Sequence, residues 1–340
     1  MILGRADTDR QVLIVAEIGN NHEGDMAAAR ELVRQAAAAG ADAVKFQTFR
    51  TERFVSPADA ARFRQLKGFE LRPADVEELA GLARSLELLF LSTPLDLESA
   101  KLLEPLVDAF KIASGDNNFL PLLAQVAATG KPLVVSTGLS DTAQVAETVA
   151  FVQRQWAAAG LSGQLAILHC VSSYPVAPQQ ANLRSIEWLR ERFPGLTVGY
   201  SDHTVGIEAP VLAVALGARI LEKHFTLDRA RPGFRDHQLS ADPADLRELV
   251  RRVRLAEAML GMRGKAVQPC EEPLLALLRR AIVAAADLPA GHRLTPADLL
   301  WLRPAAGLAP GNEARLVGGV LARNVRSGEP LQSGDVRSSS

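Results

Sequence analysis

Residues 12–49 read VLIVAEIGNNHEGDMAAARELVRQAAAAGADAVKFQTF. VLIVAE (12–17) and AVKFQ (43–47) are short apolar runs that predict strands, and the stretch from Asp25 to Ala39 between them has helical period. Asp opens that stretch and Gly40 closes it, as helix termini prefer. The same alternation continues through LLFLS (88–92), AFKIA (109–113), PLVVS (132–136), AILHC (166–170), TVGYS (197–201) and ILEKH (220–224). Helical stretches lie between them, among them Pro73 to Ser85, Thr142 to Ala157 and Ile207 to Leu216. Eight such units in about 250 residues predict a (β/α)8 TIM barrel rather than an open doubly wound sheet, which has fewer strands.

Each run is apolar in its N-terminal half and carries reactive groups at or just beyond its C-terminal end. These are Glu17, Lys45 and Gln47, Ser92 and Thr93, Lys111 and Ser114, Ser136, His169, Ser201 with His203, and Glu222 with His224. All strand C-termini of such a barrel open on one face, so these groups are expected on one rim, where active sites of this fold lie.

Outside the barrel the pattern changes. The last barrel helix runs from Asp242 to about Met262, and RGKAVQPCEEP reads as a linker. The expected division is a barrel over 1–262, a linker over 263–278 and a separate β-rich module over 279–338. That module shows short strands (AIVAAAD, VLARNV), turn pairs (PAG, LAPG, SGEP) and a short helix candidate in LTPADLL. So small a module is marginal alone and is expected to dock on a surface. The final RSSS is expected to be disordered.

Composition narrows the function. The chain has 340 residues, of which 48% are hydrophobic and 23% charged, so it is an ordinary globular sequence. Its 38 basic and 39 acidic side chains leave a net charge of -1, which argues against nucleic acid or an anionic membrane as partner and makes any anion site local. Neither a signal peptide nor a run of 18 apolar residues is present, and the expected location is the cytoplasm. Cys170 and Cys270 read as free thiols.

At the rim, His203 in SDHT and His224 in EKHF sit at the ends of neighbouring strands, where two imidazoles can share one divalent cation or, alternatively, each cap a loop. Lys45 and Lys111, with Thr93, Ser114, Ser136 and Ser201, suggest a cradle for a phosphate or carboxylate. The competing readings pair each lysine with Glu17 or Asp116, or make one lysine a Schiff-base nucleophile. Glu17 is a candidate general acid or base, or a counter-ion for Lys45. His22 and Glu23 follow it in the first loop and are expected to support the site from behind. No dinucleotide fingerprint, Walker loop, nucleophile elbow or HExxH is present.

The stretches VAEIGNNHEGDMAAARELVRQAAAAGADAVKFQTF, FLSTPLD, FKIASGDNN, GKPLVVSTGLS, HCVSSYP, VGYSDHTVG, ALGARILEKHFTLDR and RDHQLSADP resemble the sialic acid synthase family, and the tail resembles its C-terminal antifreeze-like (SAF, β-clip) domain. Members condense phosphoenolpyruvate with an N-acetylated hexosamine. The resemblance implies that His203 and His224 hold a divalent ion, Mn2+ first, with Mg2+ or Co2+ as alternatives. It gives Lys45, Thr93, Lys111, Ser114, Ser136 and Ser201 to phosphoenolpyruvate, Gln47, Tyr174 and Asp236 to the sugar, and makes Glu17 the essential carboxylate. Asp116 and Ser172 are implied at the pocket rim, where the best-known members carry Glu and Asn. A domain-swapped homodimer is also implied, in which Arg303 of WLRP reaches the partner's sugar. N-acetylmannosamine is the first substrate expected, with diacetamido sugars leading to legionaminic or pseudaminic acid as the alternative. Readings of another class are a metal- or Schiff-base-dependent aldolase or isomerase and a non-catalytic carbohydrate-binding protein.

Overall fold

A computed structural model of the chain describes residues 1–304 and 306–337. It divides into two compact units, Met1–Gly261 and Met262–Ser340.

The first unit is a closed barrel of eight parallel strands: β1 (Leu13–Gly19), β2 (Ala43–Thr48), β3 (Leu89–Pro94), β4 (Ala109–Ile112), β5 (Leu133–Ser136), β6 (Leu165–Cys170), β7 (Thr197–Asp202) and β8 (Ile220–His224). Each pairs with its sequence neighbour, and β8 closes on β1 with His224 beside Glu17. Eight helices surround it: α1 (Met26–Ala39), α2 (Pro73–Ser85), α3 (Leu97–Leu103), α4 (Leu120–Ala128), α5 (Thr142–Ala159), α6 (Ser185–Arg192), α7 (Glu208–Ala215) and α8 (Pro243–Leu260).

Helix α1 shows why the expected positions hold. The Asp25 side chain accepts from the Ala27 N–H at its start, and Gly40 closes it with φ 87°. Ala29, Leu32, Val33, Ala36 and Ala39 recur on one face and are buried against the strands. An Asp141–Gln144 capping box starts α5, and Asp242 accepts from Ala244 and Asp245 at the start of α8.

Strand alternation sorts the side chains into two layers. Ile14, Ala16, Val44, Phe46, Phe90, Phe110 and Val135 face the helices. Leu13, Val15, Ala43, Leu89, Leu91, Ala109, Val134, Ala166, Leu168 and Ile220 fill the lower barrel. Leu3 joins this inner cluster from an N-terminal hairpin, Ile2–Leu3 with Ala6–Asp7, and plugs the lower end. Strands of two residues are too short to show alternation, so this hairpin left no trace in the sequence pattern.

Between β2 and α2 the chain forms two further short helices, Thr51–Phe54 and Ala60–Phe69. Phe49, Leu66, Phe69 and Leu95 form a separate apolar cluster there, with Phe234 packed edge-on against Phe69. Glu70 ties the segment together by accepting from the Thr51 N–H and hydroxyl and from Lys67 and Arg50. Partial burial works to raise its carboxyl, but these donors hold it at about 2.

In the second unit β9 (Ala281–Ala284) pairs antiparallel with β10 (Leu299–Leu302), and β11 (Val320–Leu321) with β12 (Val336–Arg337). Ile282, Leu294, Leu299, Leu316, Leu321 and Leu331 form its core. The helix expected in LTPADLL is one 3-10 turn, Pro296–Asp298, closed by a Thr295–Asp298 capping box. Its Leu-Leu-Trp-Leu continuation extends as β10 because it finds the β-branched Ile282 and Val283 to pair with. Arg337 lies in β12, and the rest of the tail expected to be disordered, 338–340, lies outside the described residues.

Gly24, at φ 81°, sits so close to the helix Ala60–Phe69 that a Cβ would lie 2.0 Å from the Gly68 carbonyl oxygen. Gly24→Ala is therefore expected to cost more than about 1 kcal/mol. It should also speed proteolysis within residues 51–70, which limited digestion alongside thermal unfolding checks.

Candidate active site

Above the apolar floor, the inward positions of the strands carry the polar groups. Leu13 and Val15 give way to Glu17, Ala43 to Lys45 and Gln47, Leu91 to Thr93, Ala109 to Lys111, Val134 to Ser136, and Ile220 to Glu222 and His224. A two-residue period with an apolar lower half and a polar upper half builds this layer without help from the loops.

The charges form one chain. Lys45 Nζ lies 2.8 Å from Glu17 Oε2, 3.2 Å from Thr93 Oγ1 and 3.8 Å from Glu222 Oε2. Lys111 Nζ donates to Ser136 Oγ (2.6 Å) and to the Ile112 carbonyl (2.9 Å), and lies 3.9 Å from the same Glu222 oxygen. Ser201 donates to the other oxygen of Glu222 at 2.9 Å. Both lysines are thus paired, Lys45 with Glu17 as the competing reading had it, but the shared counter-charge is Glu222 rather than Asp116. Registering β8 against the other strands is what places Glu222 there, and a single run of sequence does not carry that register.

The two carboxylates are pushed in opposite directions. Burial raises the Glu17 carboxyl above its ordinary range, with Lys45 only partly offsetting it. Burial also works to raise Glu222, but Lys111, Lys45 and the Ser201 hydroxyl outweigh it and hold the group low. Opposite shifts in neighbouring acids divide their roles, one able to carry a proton and one kept anionic. Burial lowers Lys111, whereas at Lys45 the pull of Glu17 and Glu222 overcomes burial and raises it. Asp116, in the turn after β4, is pushed up to about 6 by burial, against the pull of Lys111.

Around Lys111 the walls are close. Ser114 Oγ accepts from the Gly138 N–H at 3.0 Å, and Ser172 Oγ is buried without a partner. A Cβ on Gly138 would lie 2.4 Å from Ser172 Oγ and 2.6 Å from Ser114 Oγ, so only glycine leaves the two hydroxyls in place. Asn117, which sequence reasoning passed over, donates to the carbonyls of Ser136 and Gly138 and to Ser140 Oγ, fixing this loop.

On the other side of the mouth the rings of His203 and His224 lie 5.3 Å apart. His203 Nδ1 bonds the Val171 carbonyl at 2.7 Å, which directs the lone pair to Nε2. His224 Nδ1 is buried with no hydrogen-bond partner, and burial keeps the imidazole neutral well below the usual range. The Nε2 of His203 and the unpartnered Nδ1 of His224 are ring nitrogens of the kind that hold a divalent ion. Among the described residues no group of three or more His, Cys, Asp or Glu could hold a metal, so water or substrate would complete its coordination.

Tyr174 stacks 4.1 Å from His203 and is capped by the Arg235 guanidinium at 4.8 Å, while Asp236 Oδ2 lies 3.6 Å from His224 Nδ1. Tyr174, Arg235 and Asp236, with Gln47, Asn20 and Phe234, line an open cleft of about 770 Å³. Gln47 Nε2 reaches Glu17 Oε1 at 3.4 Å, and Asn20 Nδ2 donates to Gln47 Oε1 at 2.8 Å, so the cleft connects with the carboxylate. Asn20 carried no signal beyond its place in the first loop.

Two expected rim residues face away. His169 points to the helices and bonds the Ala181 carbonyl at 2.8 Å, leaving Cys170 to face inward, where its Sγ lies 3.8 Å from His203 Nδ1. Ser92 likewise faces outward and bonds the Phe46 carbonyl, so Thr93 is the inward residue of that pair. Arg303 belongs to the second unit, at the exposed end of β10.

The chain is thus a TIM barrel with lysines, carboxylates and imidazoles gathered at its strand C-termini, followed by a small antiparallel module. The NeuB family model matches residues 32–265 and the SAF domain model residues 279–337. The chain belongs to the NeuB family. It is 40% identical over 94% of its length, and 92% of the other's, to the N,N'-diacetyllegionaminic acid synthase of Legionella pneumophila. It is 42% identical to an uncharacterized protein of Methanocaldococcus jannaschii, covering 92% and 90% of the two chains. Among solved structures, the N-acetylneuraminic acid synthetase of Leptospira borgpetersenii in complex with citrate superposes with a TM-score of 0.75 and 33% identity, over 81% of this chain and 94% of that one.

His22, fully buried beneath the first loop, accepts from the Gly24 N–H and has its pKa lowered to about 4 by burial. The folded state therefore holds it neutral where the unfolded chain, near 6.5, takes up a proton. Its contribution is fully present above pH 6.5 and is lost as pH falls toward 4, amounting to roughly 3 kcal/mol. Urea unfolding of His22→Gln should accordingly show a flatter pH dependence than the wild type between pH 6.5 and 4.

Proposed function

We propose that the chain condenses phosphoenolpyruvate with the open-chain form of an N-acetylated hexosamine and water, giving a sialic-type 2-keto acid and inorganic phosphate. The observation that carries this reading is one continuous polar layer in which paired buried lysines adjoin two ligand-ready imidazoles. N-acetylmannosamine is the first sugar assigned. A diacetamido hexose is the second, and the 40% identity to the Legionella synthase favours it.

Lys45 and Lys111, with Thr93, Ser114, Ser136 and Ser201, bind the phosphate and carboxylate, displacing contacts they now make with one another. Gln47, Tyr174 and Asp236 orient the sugar in the adjoining cleft, with Asp116 and Ser172 shaping its approach to the cradle. His203 and His224 would hold a divalent ion, Mn2+ in the first instance, which when bound supplies Lewis-acid polarisation of the sugar aldehyde. C3 of phosphoenolpyruvate forms the new bond to the aldehyde carbon, whose oxygen takes a proton, and C2 becomes cationic. Water adds at C2 and gives up one proton, and the C2–O bond to phosphate then breaks as the new C2 hydroxyl passes its remaining proton to the departing phosphate, leaving the ketone. Glu17, whose carboxyl burial raises, holds or moves the proton beside that carbon, while the anionic Glu222 stabilises the positive charge.

We also assign a homodimer in which Arg303 serves the partner's sugar site. The exposed Leu300, Trp301 and Leu302 preceding it support a covered surface there. Among the described residues no helix is long and apolar enough to cross a membrane, and a phosphoenolpyruvate substrate favours the cytoplasm.

The test is to offer phosphoenolpyruvate with a panel of mono- and diacetylated hexosamines, with and without chelator. Phosphate should appear only with both substrates, stop with chelator and return with Mn2+, and product mass names the sugar. Release without sugar, or a borohydride-trapped lysine adduct, would sink the reading in favour of an aldolase or hydrolase. As a control, Glu17→Gln should lose about 100-fold or more in kcat with thermal stability kept. Arg303→Ala should raise KM for the sugar about 10-fold or more, leaving that for phosphoenolpyruvate unchanged.

A further inference from the structure

The proposed chemistry leaves one buried ion pair without a task. Lys223 Nζ lies 2.7 Å from Asp202 Oδ2, and the two side chains are 1% and 0% exposed. They sit on the outer face of the barrel wall, because Ser201, Glu222 and His224 take the inward positions of the same strands. At comparable outward positions of other strands stand the apolar Ile18, Phe46, Ile112 and Val135 and the polar Ser92 and His169, none of them part of an ion pair. A buried ion pair is a poor source of stability, since apolar residues of like volume serve as well or better. Its value here must lie in geometry.

The geometry is specific. Asp202 and Lys223 are direct partners in the β7–β8 register, and each immediately precedes a histidine, His203 and His224. Asp202 Oδ1 also accepts from the Tyr200 hydroxyl (2.9 Å), the Thr204 N–H (2.9 Å) and the Thr204 hydroxyl (2.8 Å). Lys223 Nζ donates in addition to the Thr204 carbonyl. The backbone is thus tied on both sides of His203 by groups behind the wall, while in front the imidazole meets the Val171 carbonyl, Cys170 Sγ and the Tyr174 ring. Slippage of β8 against β7 would move the two rings apart and break both Lys223 bonds, to Asp202 and to the Thr204 carbonyl.

We propose that Asp202 and Lys223 are positioning residues that fix the separation and orientation of the His203 and His224 imidazoles for a shared divalent cation. This rests on reading the histidine pair as an ion site, so its test includes a measurement that needs no ion. The Asp202→Leu/Lys223→Met double variant removes both charges and strands neither.

In the metal-free protein labelled with 15N-histidine, the variant should shift or broaden the signals of His203 and His224. Those of His22, His237 and His292 should stay as in the wild type. Titration with Mn2+ should show affinity reduced about 10- to 100-fold. A folded double variant with unchanged imidazole spectra and unchanged Mn2+ affinity overturns the proposal. Wild-type protein that fails to bind Mn2+ refutes the ion reading, and the spectra alone then decide the positioning role. Should the double variant not fold, Tyr200→Phe and Thr204→Val each remove one hydrogen bond to Asp202. Unchanged His203 signals in both overturn it equally.

Discussion

A charge buried in a barrel must bring its opposite with it, and the mouth of this barrel is arranged around that requirement. Glu17, Lys45, Glu222 and Lys111 are each nearly inaccessible to water, and each has an opposite charge within 4 Å. The four come from β1, β2, β8 and β4, so the charge chain spans the barrel and constrains the register of strands far apart in sequence. A substrate anion entering there does not meet a bare positive patch. It meets lysines already engaged with carboxylates and must offer them a better partner, which is a selective arrangement rather than a merely attractive one.

Much of this was legible before any coordinates. All eight strands fall within two residues of their expected positions because parallel barrel strands are buried on both faces and their apolar runs end abruptly in polar residues. The residue types at those ends, Lys45, Lys111, His203 and His224 above all, marked the rim as the candidate site. What sequence could not supply was which side of the strand each residue takes, because neighbours such as His169 and Cys170, or Ser92 and Thr93, are equally polar and only the pleat separates them. Nor could it supply partners set by register: Glu222 between the lysines, or Asp202 against Lys223. The N-terminal hairpin and β10 escaped because their local patterns are too short, or too like a helix start, to decide without their pairing strand.

The segment between β2 and α2 shows a different division of labour. Its helix Ala60–Phe69 has a weak apolar face and is held instead by Phe234, by the Glu70 knot and by the tight approach of Gly24. Arg62 and Gln65 from that helix join the cleft wall. A surface insertion held by a few specific contacts can vary in sequence while the barrel behind it stays fixed, so it is a natural place for relatives to differ in the sugar they accept.

The hairpin that seats Leu3 in the lower barrel also decides traffic. With that end filled by side chains, the barrel has one door. Whatever is held by Lys111 lies below whatever occupies the cleft beside Tyr174 and Gln47, and both come and go through the same opening. In the proposed condensation the deeper guest would therefore arrive first, with the upper one acting as a stopper over it.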